Sequence, residues 1–317
     1  MRIARQKVHG GGCYYHLMNR VAGAKHWYPF EDIDKEYGMN LVRHLSTYYL
    51  LEVISMCWMG NHYHIILYTP QAHELPDNKA IVKRHNDYYG DENPGKHIQL
   101  DEKEQVEMVR RNMTDISHFM KNFQQQFTIY INRTHDRRGT LWADRFKSTI
   151  LEGRHALWEV VEYIELNPVR AGLVESASDY RHCTWGWYKG SGKHIFNDNF
   201  IKHMKGALGT VAEKWTDETL YNWFGSELVR ITLYEKGIIG EELHEIVQEA
   251  KKGETMPIKF LRRTRHWTDG GIIGSKSFVQ EIACKFRDKK RVMKKQFSHG
   301  KTNNGISIYC YKMLRNI

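Results

Sequence analysis

The residues best suited to chemistry are two histidines one position apart, in His62-Tyr63-His64. On a β-strand, positions i and i+2 share a face, so this pattern presents two imidazoles together, close enough to share one divalent cation. Imidazole suits Mn, Zn, Ni and Co, and Mg is tolerated when oxygen ligands complete the shell. With 18 histidines in the chain, a His-x-His also arises by chance, so a third donor and a reacting group must come from elsewhere. The stretch 155–166 offers both. Glu159, Tyr163 and Asn167 recur every four residues, which on a helix lines them along one stripe. If that helix packs beside the histidine strand, Asn167 brings an amide oxygen and Tyr163 a phenol one turn away. Glu159 either joins the metal shell or stands in solvent.

The elements that must position these groups follow from periodicity. Aromatic and apolar residues after Gly10-Gly11-Gly12 predict a strand over 13–20. Ile33, Tyr37, Leu41, Leu45 and Tyr48 predict a helix over 33–49. A hairpin follows, with strands 53–58 and 62–68 joined at Met59-Gly60-Asn61, where glycine and asparagine tolerate the tight turn. Residues 69–103, with Pro70, Pro76, Gly90 and Pro94, read as a polar excursion. Ile116, Phe119, Met120, Phe123, Phe127 and Ile131 keep a helical stripe through an expected long helix over 106–133. A short strand over 146–151 precedes the helix over 155–166, which Asn167-Pro168 stops because proline has no N–H to donate. The order β-α-β-β-α-β-α is a split βαβ arrangement, implying an α+β fold with an antiparallel-rich sheet and helices on one face.

Composition narrows the class. Of 317 residues, 41% are hydrophobic and 26% charged, the balance of a globular chain rather than a disordered one. The apolar runs fall far short of the roughly 18 residues of a membrane span, and the N-terminus lacks the apolar core of a secretory signal. Five scattered cysteines, none spaced as CxxC, suggest reduced thiols without a disulfide framework, and a cytoplasmic address. The net charge of +10 is uneven. Residues 251–317 hold 17 Lys and Arg against 4 Asp and Glu, whereas the first 250 residues are close to neutral. A basic region on a neutral body points to a polyanion, with nucleic acid first.

Four ordered blocks between residues 11 and 187 resemble the IS200-like single-tyrosine transposases of the HUH class. The closest likeness is to the branch associated with repetitive extragenic palindromes (REP). The blocks are Cys13-Tyr14-Tyr15-His16 through Asn19-Arg20, and Met59-Gly60-Asn61-His62-Tyr63-His64. They continue with Tyr130-Ile131-Asn132-Arg133 through Arg145-Phe146-Lys147-Ser148, and Tyr163-Ile164-Glu165-Leu166-Asn167-Pro168-Val169-Arg170-Ala171-Gly172. The resemblance implies a ferredoxin-like catalytic body. Its activity would be DNA nicking and strand transfer on single-stranded or hairpin (palindromic) DNA, as in transposition and recombination. By motif, Tyr163 is the nucleophile that forms a covalent 5′-phosphotyrosine, and His62, His64 and Asn167 hold Mg2+ or Mn2+. Family members include homodimers that exchange catalytic helices as well as monomers.

The chain departs from the family at Gly60, where proline is frequent, at Tyr63, where an aliphatic is usual, and at Phe146, where relatives often carry tyrosine. That leaves Tyr130 as an alternative nucleophile, and Phe146 as the mark of an inactive protein. A domesticated DNA-binding protein without turnover and a metal-dependent nuclease without a covalent intermediate remain alternatives.

Basic residues with interleaved aromatics mark expected DNA contacts. Arg133, Arg137, Arg138, Arg145 and Lys147 cluster around Trp142. Arg262, Arg263 and Arg265 lie beside Trp267, and Lys289 and Lys290 open a third basic run. The expected organisation is a catalytic domain over 1–188, a linker with connecting helices over 189–225, and a basic helical DNA-binding domain over 226–317. The last resembles a helix-turn-helix. A DNA-acting protein of this kind is expected in the cytoplasm at the nucleoid.

Overall fold

Alternation along the strands assigns each side chain to one side of a central sheet. A computed structural model describes residues 7–8, 10–24, 26–236, 271–295, 297–301 and 307–312. Strands β1 (Cys13–Arg20), β2 (Glu52–Trp58), β3 (His62–Thr69) and β4 (Lys147–Leu151) lie within one residue of the expected positions. β3 pairs antiparallel with β1 and β2, and β1 pairs antiparallel with β4.

Helices cover both faces of this sheet, not one. On the first face α1 (Asp32–Tyr48) packs with two later helices, α3 (Lys103–Thr114) and α4 (Ile116–Thr134); α2 (Asn78–Tyr89) lies between them in the chain. Phe119, Phe123 and Phe127 of α4 are fully buried there with Tyr15, Leu17, Trp58 and Tyr63. Gly38 of α1 sits so close to the sheet that a Cβ would lie 2.3 Å from the Trp58 ring. The second face carries α5 (His155–Glu165), α6 (Asn167–Arg170), α7 (Thr184–Ser191), α8 (Asn197–Leu208) and α9 (Asp217–Glu235) over Ile54, Cys57, Ile66 and Tyr68. The cause is legible in β2 and β3, whose apolar residues run continuously instead of alternating, the pattern of a strand buried on both sides.

Other expectations change as well. The supposed excursion contains α2, which Asp77 caps by accepting from the Ala80 N–H. The single long helix is broken at Asp115, whose carboxylate accepts from the N–H groups of Ser117 and His118 and pairs with Lys7 at 2.7 Å. An aspartate at the N-cap captures the unpaired donors of a new helix, and the apolar stripe continues past the break undisturbed. The stretch 189–225, expected as a linker with connecting helices, opens on the last turn of α7, which Gly192 closes at φ 71°, and continues through α8 into α9.

The basic region joins the same sheet. β5 (Gly271–Gly274) pairs parallel with β4, β7 (Ser307–Lys312) antiparallel with β5, and β6 (Ser298–Lys301) antiparallel with β7. The described residues thus form a seven-stranded mixed sheet in the order β2-β3-β1-β4-β5-β7-β6, within an α+β fold. The region also contains α10 (Lys276–Phe286) and α11 (Lys289–Lys294). The strands were hidden because a four-residue run such as Gly-Ile-Ile-Gly is too short for its period to separate strand from helix or turn.

Cys57 and Cys183 are joined in a disulfide, which corrects the expectation of reduced thiols throughout. The two partners are 126 residues apart in sequence and meet because the Trp58 N–H donates to the His182 carbonyl at the end of β2. Among the described residues no helix is long and apolar enough to cross a membrane.

Candidate active site

β1 and β3 deliver three histidines to the sheet face covered by α5. The rings of His62 and His64 stand edge to face, 5.1 Å apart. His16 of β1, which sequence reasoning did not single out, stacks on His64 at 5.0 Å, with its Nε2 2.8 Å from His64 Nδ1. The register pairs His16 with Ile66, leaving His64 as its diagonal neighbour on the same face. Parity could have hinted at this contact, but only strand register reveals it.

Tyr163 lies on α5 above these rings, 6.0 Å from the His64 ring and 6.5 Å from that of His16. α5 ends at Glu165, and the chain restarts as the short α6 with Pro168 in its first turn, where a missing N–H costs nothing. Asn167 opens α6. Its Nδ2 donates to His64 Nε2 at 3.0 Å, and its side chain hydrogen-bonds Tyr163. The four-residue spacing therefore survives the change of helix.

The hydrogen bonds fix where the protons sit. Asn61 Nδ2 donates to the Trp27 carbonyl at 3.0 Å, so its Oδ1 faces His62 Nδ1 at 2.7 Å as an acceptor. His62 then carries its proton on Nδ1 and its lone pair on Nε2. His64 Nε2 accepts from Asn167, so a neutral His64 carries its proton on Nδ1 and donates to His16. Both imidazoles are held in the form a metal requires. Burial, then Arg20, pushes His62 down to about 4, and burial, then His16 and His62, holds His64 well below the usual histidine range. They are neutral at pH 7.

Tyr163 is 2% exposed, and burial pushes its phenol up; Arg170 and the hydrogen bond with Asn167 act in the opposite direction. The Arg170 guanidinium lies 5.4 Å from the Tyr163 ring centroid, and its Nη1 donates to the Tyr163 carbonyl at 3.1 Å. Two further N–H groups of Arg170 donate to Glu235 at the end of α9, at 2.9 and 3.0 Å. Arg170 and Glu235, 65 residues apart, meet only in the folded chain.

Among the described residues no group of three or more His, Cys, Asp or Glu side chains is arranged to hold a metal ion. The residues that could hold a cation here are His62 and His64, through Nε2, and Asn167. Asn167 already meets His64 Nε2 with its amide, and turning that amide over would present Oδ1 instead. His16 and Asn61 orient the imidazoles from behind.

The other expected residues separate. Tyr130 stacks on Tyr37 at 3.7 Å on the opposite face of the sheet, and Phe146 is buried in the core of that face. Neither approaches the histidines, and of the three candidate positions Tyr163 alone adjoins them. Glu159 is buried near Glu162, whose carboxyl burial, and then Glu159, push up; it does not stand in solvent. Trp142 packs edge-on to Tyr63 at 5.3 Å, so its ring serves the core. Arg133, Arg138, Arg145 and Lys147 are exposed and Arg137 is half-buried, around the loop that reaches β1 through the Ala22 N–H to Leu141 carbonyl bond. Lys289 and Lys290 are exposed on α11, with β1 and β4 separating β3 from the part of the sheet they adjoin. Arg262, Arg263 and Arg265 lie outside the described residues.

No protein-family model matches the chain, and no curated protein matches it. A solved structure of a REP-associated tyrosine transposase bound to a REP hairpin is similar. It is 16% identical, with 61% of this chain and 87% of that chain covered, at a TM-score of 0.39.

Proposed function

We propose that the protein is a metal-dependent DNA strand transferase, an HUH single-tyrosine transposase in chemistry, acting on single-stranded or hairpin DNA. The observation that carries this is the meeting of one phenol, Tyr163, with His64 around the Asn167 side chain, in a single chain. Because donors and nucleophile belong to one polypeptide, exchange of α5 between two copies is not required.

His62, His64 and Asn167 would hold the cation, Mg2+ or Mn2+. When bound it would neutralise charge on a non-bridging phosphate oxygen and favour departure of the 3′-oxygen. The chain's own residues do the rest. A phenol with an ordinary pKa near 10 is a weak nucleophile at neutral pH, and Arg170 and Asn167 offset part of the cost of burying it. The Tyr163 oxygen bonds to phosphorus as the bond from phosphorus to the 3′-oxygen breaks. The proton lost by the phenol is balanced by the one the departing 3′-hydroxyl gains. No water is consumed, so the phosphodiester is stored as 5′-phosphotyrosine and the reverse attack by a 3′-hydroxyl rejoins the strands. Arg133, Arg138, Arg145 and Lys147 would meet phosphates, and Lys289 and Lys290 would extend the basic surface.

A labelled hairpin oligonucleotide incubated with the protein and Mg2+ or Mn2+ tests this. The expected result is a covalent protein–DNA adduct that disappears in Tyr163→Phe. Binding without any adduct identifies a DNA-binding protein without turnover, and cleavage that survives Tyr163→Phe identifies a nuclease.

A further inference from the structure

Between β1 and α1, residues 26–31 present two aromatic rings that no core contact accounts for. Tyr28 is 61% exposed and Trp27 36% exposed. Both are held in place by backbone. Tyr28 rests on Gly60, where a Cβ would lie 3.1 Å from its own Cβ, and Trp27 lies across Gly23, where a Cβ would lie 2.5 Å from the indole. Phe30 N–H donates to the Gly60 carbonyl and Asn61 Nδ2 to the Trp27 carbonyl, so the loop is fastened to the turn that leads into His62. Gly60 and His62 are two residues apart, at most about 7 Å of chain.

Basic groups surround this platform. The Arg137 guanidinium lies 5.4 Å from the Trp27 ring centroid. Its Nη1 is buried with no hydrogen-bond partner among the described residues. Arg20 pairs with His62 across β1 and β3, and Arg138 is exposed beside Arg137. The Arg137 side chain as a whole is only half-buried, and an arginine fork matches an anionic oxygen. An open aromatic face with a cation beside it suits an unpaired nucleobase and its phosphate, since every base has a π-face.

We infer that Tyr28 stacks an unpaired nucleobase at the edge of the His62 site, with the Trp27–Arg137 pair holding the adjoining phosphate. The platform deepens the strand-transfer function proposed above by placing a single-stranded segment, and not a closed duplex, beside the histidines. Trp142, turned into the core, leaves that role to the loop.

The test uses the full chain carrying Tyr163→Phe, so that binding is read without chemistry, and a fluorescein-labelled oligothymidylate titrated by anisotropy. Tyr28→Ala is expected to lose roughly 5- to 150-fold in affinity, with the salt dependence unchanged, because stacking releases no counterions. Tyr28→Phe is expected to restore binding, and a blunt duplex of equal length to be indifferent to Tyr28→Ala. Arg137→Gln is expected to shallow the log–log salt slope by about 0.7. Equal affinity of Tyr28→Ala and its parent, equal losses on single strand and duplex, or failure of Tyr28→Phe to rescue would overturn the inference. The two proposals fail separately. Oligothymidylate binding through Tyr28 by a protein that never forms an adduct removes the strand-transfer function alone. Adduct formation with Tyr163 present and full affinity in Tyr28→Ala removes the platform alone.

Discussion

Glu165 sits two residues after Tyr163 and two before Asn167, fully buried, and ties this segment to the sheet. Ser55 Oγ of β2 donates to its Oε1 at 2.6 Å and the Trp185 N–H of α7 to its Oε2 at 3.0 Å, and Thr184 Oγ1 donates to Oε1 as well. Burial outweighs these three donors and raises the carboxyl from 4.5 to about 7. The folded state therefore holds a proton that the unfolded chain releases from about pH 4.5 upward. A folded-state pKa raised above the unfolded one means stability is fully present at low pH and is lost as pH rises toward 7. At about 1.4 kcal/mol per pH unit, the loss across that window is about 3 kcal/mol. Glu165→Gln cannot titrate, so subtracting its unfolding free energy from that of the wild type isolates this group and cancels Glu162, which shifts in the same direction. The assay is urea unfolding followed by tryptophan fluorescence, at constant ionic strength, from pH 4 to 8. The wild-type advantage over Glu165→Gln should shrink by about 3 kcal/mol between pH 4.5 and 7 and be level outside that range. A difference independent of pH, or one growing with pH, would refute the placement of a protonated Glu165 under the segment that carries Tyr163 and Asn167.

Removing His16 or Asn61, which orient the two imidazoles, should weaken Mn2+ binding about 10- to 100-fold in calorimetry while leaving the fold intact. Arg170→Gln should raise the pKa of Tyr163, since Arg170 lowers it, so the rise of the adduct-formation rate with pH should shift to higher pH. Phe123→Ala, which empties a fully buried site against Trp58 and Tyr63, should cost about 3–5 kcal/mol in urea unfolding. Gly38→Ala drives a methyl group into the Trp58 ring and should cost about 1–3 kcal/mol by the same measurement.

Several features were legible because their causes are local. The His62/His64 pair shares a strand face by parity, and Tyr163 and Asn167 share a helical stripe by spacing. Four strands of the body announced themselves through apolar runs and turn residues. The helix break at Asp115 was written in a capping residue but masked by an apolar stripe that ran across it. Trp142 looked like a stacking residue because basic neighbours surround it in sequence, whereas its ring turns inward onto Tyr63.

By itself the sequence determined which side chains could act together within one element: the histidine pair, the phenol with its amide, and the basic bias of the last residues. Tertiary structure decided which elements meet. It set His16 behind His64, brought Glu235 to Arg170 and Cys57 to Cys183, laid the Tyr28 loop against the turn before His62, and built β5, β6 and β7 onto the body's sheet. Periodicity fixes the direction of a side chain relative to its own backbone, while strand register and helix packing are settled by burial summed over the whole core. Contacts of the second kind therefore leave no trace in any single stretch of residues.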